Sequence, residues 1–167
     1  EGTRAPVHVD VANAVAAYFE AVDGQQWETV VGAMRRPTLM DYSSFGAGEP
    51  AGRMPEDVVA DWGDFLPGFD HTHHQLGNLQ IQVSGNEARV DAYVTGAHVI
   101  GSESWTVTGR YEIGLVMEER RWLISSLRFL YKFQTGAELV ERAQAVEVVG
   151  VDVDHRDVRF AGPLDLA

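Results

Sequence analysis

Cysteine is absent from the 167-residue sequence, and lysine occurs once, at Lys132. The absence of cysteine excludes disulfide bonds, thiolate nucleophiles and every zinc or iron–sulfur site that depends on cysteine ligands. Schiff-base chemistry needs a lysine amine, so it would rest on Lys132 alone, inside the aromatic stretch 129–133. Covalent catalysis through a thiol is therefore excluded, and catalysis through an amine is disfavoured.

Basic charge is also scarce. The chain has 13 lysines and arginines against 25 aspartates and glutamates, which gives a formal net charge of -12. The pairs Arg35–Arg36 and Arg120–Arg121 are isolated, so we expect the protein to bind neither nucleic acid nor an anionic membrane. No run of about 18 apolar residues is present, and the N-terminus lacks a secretion-signal pattern. These absences predict a soluble, cytoplasmic protein.

Apolar residues make up 45% of the chain, enough for the core of a single domain. Three amphipathic helices are predicted in the first half. The first begins with Asp10 as its N-cap and keeps helical apolar spacing as far as Val22. The second covers 27–34 and ends before Pro37, and the third begins at Pro55, a residue suited to the first helical position.

The second half of the chain alternates apolar and polar residues, as strands do. Leu79, Ile81 and Val83 lead into a turn at 84–87, which predicts a hairpin. The segments 104–117 and 122–133 alternate in the same way, and a last short helix is predicted at 137–145.

Helices followed by antiparallel strands indicate an α+β domain whose helices cover one face of a curved, mostly antiparallel sheet. We predict an N-terminal tail at 1–9, one domain at 10–145 and a C-terminal extension at 146–167.

The histidines of the sequence Asp70-His71-Thr72-His73-His74 do not predict a metal site. In a strand, His71 and His73 point to one face and His74 to the other, so at most two of them can meet one ion. We interpret His71 and His73 as polar residues at the start of a strand. Because no G-x-G-x-x-G motif is present either, we predict that the protein needs neither a metal nor a nicotinamide cofactor.

Four residues are candidates for acid–base chemistry. His74 and His98 lie on different strand segments among small or apolar residues, where each alone is most simply a core histidine with a partner. Asp23 is either an ordinary helix-terminal residue or the carboxylate that orients a buried histidine. Tyr42 is either a core aromatic or a hydroxyl directed into a cavity.

These residues belong to an ordered set of motifs that extends from about Val11 to Arg142. The set comprises Asp23-x-x-x-Trp27, Pro37-Thr38-Leu39-x-Asp41-Tyr42-x-Ser44-Phe45, Met54-Pro55-Glu56, Thr72-x-His74-x-x-Gly77, His98, Gly109 and Trp122. In order and spacing it resembles scytalone dehydratase and its relatives in the SnoaL-like part of the NTF2-like superfamily.

The resemblance implies a cone-shaped α+β barrel whose open mouth is an apolar pocket. It also implies that Asp23, Tyr42, His74 and His98 are the catalytic residues. The Asp23–His74 pair is similar to the dyad of a hexachlorocyclohexane dehydrochlorinase, another eliminating enzyme without a cofactor.

The sequence departs from the dehydratase pattern at three positions. Val22 stands where the dehydratase has a second tyrosine, and Ile113 and Leu115 stand where it has a serine and an asparagine. Fewer hydrogen-bond donors remain to bind a polyhydroxylated aromatic compound. We therefore expect a more apolar cyclic or polyketide-like substrate than scytalone.

The predicted function is that of a cofactor-independent dehydratase, which removes water or another β leaving group from a small cyclic, carbonyl-bearing substrate. His74 is the preferred base, Asp23 orients it, and Tyr42 donates a hydrogen bond to the developing enolate oxygen. The candidates for the apolar substrate-binding wall are Trp62, Phe65, Tyr111, Ile113, Leu115 and Phe129.

Two alternatives remain open. The same groups would serve a cofactor-free isomerase, cyclase or epoxide hydrolase of this fold, because fold does not settle reaction type. The other alternative is that the protein is a non-catalytic ligand-binding module. Relatives suggested by the resemblance self-associate, so we also expect a homo-oligomer, a trimer or a dimer.

Overall fold

The computed structural model describes residues 6–145, so the predicted C-terminal extension lies outside the described residues. Its helices are α1 (Val7–Asp23), α2 (Trp27–Gly32), α3 (Pro55–Phe65) and α4 (Leu139–Ala145). Its strands are β1 (Met34–Asp41), β2 (Ala51–Arg53), β3 (His71–Ser84), β4 (Glu87–Ile100), β5 (Glu103–Glu118) and β6 (Arg121–Thr135). The predicted α+β class is confirmed.

Helix α1 begins four residues before the predicted start. Pro6, not Asp10, is its N-cap, and the Pro6 carbonyl accepts the Val9 N–H at 2.8 Å. The prediction was wrong because a proline before the helix fixes the extended geometry of an N-cap without any side-chain cap. Asp10 lies in the first turn, where its carboxylate faces the positive end of the helix dipole.

Helix α3 begins at Pro55, as predicted, and Glu56 and Asp57 occupy its first turn. Helix α2 is shorter than predicted. It ends at Gly32, and Met34 is the first residue of β1 rather than part of the helix. Met34 is nevertheless buried, because the strand carries it into the same core.

The strands form one sheet in the order β2-β1-β6-β5-β4-β3. Strand β1 runs parallel to β6, and the other neighbours pair antiparallel. Strands β3 and β4 form the predicted hairpin, with Gly85 and Asn86 between them. The sheet is therefore mostly antiparallel, as predicted.

A β-bulge interrupts β3 after the segment that carries His74. Gly77 pairs with Tyr93 but Gln80 pairs with Asp91, so β3 has one more residue here than β4. Asn78, with a φ of 50°, lies in this irregular stretch. The predicted alternation grouped Leu79 with Ile81, but Leu79 in this irregular stretch is exposed, whereas Ile81 packs against the core.

The inner face of the sheet packs against the helices. Val90, Ile113 and Leu127 from the sheet are completely buried, as is Val11 from α1. No helix between Pro6 and Ala145 is long and apolar enough to cross a membrane.

Candidate active site

A cavity of about 430 Å³ lies between the inner face of the sheet and the helices α1 and α3. Of the predicted site residues, it is lined by His74, His98, Tyr42, Trp62, Phe65, Tyr111 and Phe129. Its volume lies within the usual range for small-molecule sites, about 300–1,000 Å³. The structure thus brings most of the predicted residues to one apolar chamber.

Two predicted wall residues do not reach the cavity. Ile113 and Leu115 are 0% and 1% exposed and pack in the core, without lining the chamber. The prediction that they form part of the wall was therefore wrong. They do face inward, as the alternation of β5 required, but neighbouring side chains cover them.

The carboxylate of Asp23 is bound to His74 through both of its oxygens. Oδ1 lies 2.7 Å from the His74 Nδ1, and Oδ2 accepts the His74 backbone N–H at 2.7 Å. The Thr72 hydroxyl donates a third bond to Oδ1 at 3.2 Å. Because a carboxylate only accepts, Nδ1 carries the proton and Nε2 keeps the free lone pair. The pair is well shielded, with side chains 14% and 16% exposed for His74 and Asp23.

The place of Asp23 in the fold is unfavourable for an aspartate. It is the last residue of α1, and negative charge at a helix C-terminus opposes the helix dipole. Burial would also raise the pKa of its carboxyl, but the hydrogen bonds and charge of His74, with the Thr72 hydroxyl, outweigh burial and lower the pKa. Asp23 is therefore ionised and ready to stabilise a cationic imidazole.

Glycine at position 96 makes room for the two histidines. Gly96 pairs with His74 across β3 and β4. A Cβ at Gly96 would lie 3.3 Å from the His74 Cδ2 and 3.6 Å from the His98 Cε1. Any side chain would therefore crowd the space that the two rings share, and their centroids are 5.9 Å apart.

His98 occupies a drier environment than His74. Its ring packs 4.3 Å from the Trp105 ring and 5.1 Å from the Phe69 ring, and the residue is 6% exposed. The Nδ1–H donates to the Trp105 carbonyl at 3.3 Å. Burial, with the nearby His74, lowers the pKa of His98 to about 4. His98 is thus neutral near pH 7 and offers Nε2 as a hydrogen-bond acceptor.

The depressed pKa of His98 predicts a loss of stability in mild acid. Between about pH 6.5 and pH 4 the unfolded chain binds a proton at His98 that the folded protein excludes, so stability falls as the pH falls through this window. The loss approaches about 3 kcal/mol at the lower end. We expect the free energy of unfolding of His98→Gln, measured by urea denaturation, to depend less on pH than that of the wild type. The exposed His73 provides the matched control, and a His73→Gln variant that flattens the profile equally would contradict this assignment.

Tyr42 and Asp41 point to opposite sides of the sheet. Tyr42 lines the cavity, whereas Asp41 accepts the backbone N–H of Ser43 at 3.0 Å and pairs with Arg128 at 3.1 Å on the outer side. The Tyr42 hydroxyl lies 3.2 Å from that of Tyr111. Burial raises the pKa of Tyr42 well above its ordinary value, so the phenol stays protonated and able to donate.

Sequence reasoning missed several residues of the site. Thr72 supports Asp23, and its position two residues before His74 on one strand is a signal that could have identified it. Phe19 packs between His74 and Tyr111, with ring centroids 5.6 Å and 5.1 Å away. A group of polar residues lines another part of the cavity: Glu49, Arg53, Asp61 and Gln144.

The structure separates the three neighbouring histidines as strand geometry requires. His71 and His73 are exposed, and His74 faces the cavity. Within residues 6–145, no group of three His, Cys, Asp or Glu side chains is placed to hold a metal ion.

Comparison with known proteins identifies the family and the fold. The SnoaL-like domain family matches residues 3–128. The Kfla4162 protein of Kribbella flavida is similar with a TM-score of 0.75 at 20% identity, over 80% of this chain and 96% of that one. No curated protein matches the chain at a significant level.

Two further solved structures carry names of eliminating enzymes. A Novosphingobium aromaticivorans protein described as a scytalone dehydratase is similar with a TM-score of 0.66 at 16% identity, over 77% of this chain and 85% of that one. A hexachlorocyclohexane dehydrochlorinase has a TM-score of 0.64 at 16% identity, over 77% and 87%. At these identities the likeness shows the fold alone, and it confirms the NTF2-like fold predicted from the sequence.

Proposed function

The chain belongs to the SnoaL-like domain family, and from that premise we propose that it is a dehydratase acting on a small cyclic, polyketide-like ketone with a β leaving group. One observation carries the proposal. The Asp23–His74 pair, joined at 2.7 Å, presents a free imidazole nitrogen to an apolar cavity that also contains a phenol donor. An imidazole base and a phenol hydrogen-bond donor in one apolar cavity suit the removal of a proton from the carbon next to a carbonyl group.

The first step uses His74 as the base. Its Nε2 takes the proton on the carbon next to the carbonyl, and the electron pair of that C–H bond moves towards the carbonyl oxygen. The ionised Asp23 stabilises the imidazolium that forms and keeps its Nδ1–H in place. Tyr42 donates a hydrogen bond to the oxygen on which negative charge develops.

The second step returns the proton. The enolate electrons form the carbon–carbon double bond while the β carbon–oxygen bond breaks, and the imidazolium protonates the departing hydroxyl as water. His74 is restored to its neutral form, so no external acid, oxidant or reductant is consumed. His98 stays neutral near pH 7 because its pKa is about 4, and it accepts a hydrogen bond from a substrate hydroxyl.

The chamber favours a planar, mostly apolar ring system. Its walls include Trp62, Phe65, Phe129 and Trp105, whose flat faces suit an aromatic or polyketide-like ring. We also propose that the chain self-associates as a dimer or trimer. Tyr93 and Phe133, 58% and 51% exposed on the outer face of the sheet, support this part of the proposal.

The proposal is tested with a bicyclic β-hydroxy ketone whose dehydration gives a naphthol. We expect the protein to form the naphthol without any added cofactor, at a rate unchanged after dialysis against a chelator. The matched ketone without the hydroxyl cannot lose water, but we expect its α-protons to exchange with D₂O, as followed by NMR. Products of ring closure or isomerisation, or a loss of turnover on dialysis, would overturn the dehydratase proposal.

A further inference from the structure

Two tyrosine side chains, Tyr42 and Tyr111, line the cavity, and their hydroxyl oxygens are 3.2 Å apart. A third tyrosine, Tyr18, is on α1 and is completely buried. Its hydroxyl has no hydrogen-bond partner among the residues that the structure describes, and Tyr18 does not line the cavity.

The bond between Tyr42 and Tyr111 is longer than a well-formed one. Hydroxyl–hydroxyl bonds are usually about 2.7–2.8 Å, so a separation of 3.2 Å satisfies neither phenol well. Burial raises the pKa of Tyr111 to about 12 and that of Tyr42 well above its ordinary value, so both keep their protons. The cavity therefore holds two neighbouring O–H donors without a strong acceptor between them.

We propose that Tyr42 and Tyr111 act as a two-donor clamp on a single ligand oxygen, which makes Tyr111 a second catalytic residue rather than a wall residue. This inference rests on the proposed function, in which that oxygen is the substrate carbonyl. An oxygen placed about 2.7 Å from each hydroxyl would complete both bonds. A carbonyl oxygen, with two lone pairs, accepts both at once.

The second donor lines the cavity from β5, whereas the neighbouring position on α1 has none. Val22, the residue before Asp23, also lines the cavity but carries no donor. Tyr111 reaches the same chamber from the sheet and packs 5.1 Å from Phe19 and 5.3 Å from Phe129, which fix the plane of its ring. The Tyr111 hydroxyl on β5 is thus a hydrogen-bond donor in the cavity, whereas Val22 on α1 is not.

The clamp also limits the chemical class of the ligand. The donors are neutral phenols, and the nearby charged group is the carboxylate of Asp23, which raises the pKa of Tyr111 further. A ligand carboxylate would be repelled by Asp23, and Arg53, the one arginine among the described residues that line the cavity, is already paired with Asp61. The structure therefore favours a neutral ring ketone over a carboxylic acid.

Binding measurements with α-naphthol and naphthalene test the clamp without requiring turnover. The two compounds share a ring system, but only the naphthol has an oxygen that can lie between the phenols. We expect Tyr111→Phe and Tyr42→Phe each to weaken naphthol binding about tenfold, as suits the loss of one hydrogen bond. Naphthalene should bind all variants equally. Tyr18→Phe is the matched control and should bind both compounds like the wild type.

Two outcomes overturn the clamp. One is wild-type naphthol affinity in Tyr111→Phe, and the other is an equal loss of naphthol and naphthalene affinity, which would indicate altered packing. A turnover readout separates this inference from the proposed function. We expect Tyr111→Phe to lower kcat for the bicyclic β-hydroxy ketone at least tenfold. If that ketone is dehydrated with undiminished kcat in Tyr111→Phe, the clamp fails and the dehydratase stands. If Tyr111→Phe and Tyr42→Phe weaken naphthol binding but not naphthalene binding, and neither they nor the wild type dehydrates the ketone, the clamp stands and the dehydratase proposal fails.

Discussion

Replacing His74 with alanine is expected to lower kcat for dehydration of the bicyclic β-hydroxy ketone at least a hundredfold in a protein that remains folded. General acid–base catalysis contributes about 10² to 10⁴ in rate, and in the proposed mechanism His74 both takes and returns the proton. Folding should survive because the backbone N–H of residue 74 still donates to Asp23, as does the Thr72 hydroxyl.

The adjacent residue supplies the control. His73 lies on the other face of β3 and is exposed, so His73→Ala changes the same kind of side chain without touching the cavity. We expect its kcat to equal that of the wild type. Circular dichroism and thermal midpoints establish that both variants fold. Undiminished turnover in a folded His74→Ala protein would refute the mechanism.

Replacing Asp23 with asparagine is expected to lower kcat/KM at least a hundredfold, an effect far larger than its effect on folding. Three donors converge on the two oxygens of Asp23: the Nδ1–H and N–H of His74 and the Thr72 hydroxyl. An amide keeps the size but offers one oxygen and an NH₂ group that itself donates. The imidazole then loses its charge partner and is driven to the wrong tautomer, a change known to be costly in aspartate–histidine systems.

Asp41→Asn is a matched control because Asp41 has an equally demanding set of partners. Its carboxylate accepts the N–H and the hydroxyl of Ser43, at 3.0 Å and 2.6 Å, and pairs with Arg128 at 3.1 Å. Both substitutions therefore cost stability by the same kind of loss, on opposite sides of the sheet. We expect similar shifts in thermal midpoint but a large activity loss at position 23 alone. Equal activity losses, or a loss at 23 explained wholly by unfolding, would show that the Asp23–His74 pairing does not serve catalysis.

The sequence predicted the residues that obey local rules or motifs. Pro55 begins a helix because its fixed φ and missing N–H suit the first position. The hairpin of β3 and β4 follows from alternation around a two-residue turn. Asp23 and His74, 51 positions apart, could be paired only through the motif resemblance, and the structure places them in contact.

Two errors in the strands have a common physical cause. Alternation tells which face of a sheet a side chain takes, but not which neighbours cover it, so it could not separate Tyr111 in the cavity from Ile113 in the core. Nor does alternation reveal an extra residue in one strand, so it did not separate the exposed Leu79 from Ile81, which packs against the core. Both depend on contacts between elements distant in sequence.

The β-bulge after Gly77 divides β3 into two segments with opposite side-chain alternation. In the first segment Thr72 and His74 face inward, and in the second Ile81 and Val83 face inward. Deleting one residue at 78–79 would impose a single alternation, so that His74 and Ile81 could not both face inward. With the bulge intact, we expect the tip of the hairpin at 84–87 to accept inserted or exchanged sequence without rotating the His74 imidazole. The hairpin tip is thus the place where we expect new sequence to be tolerated on the same strand as the proposed base.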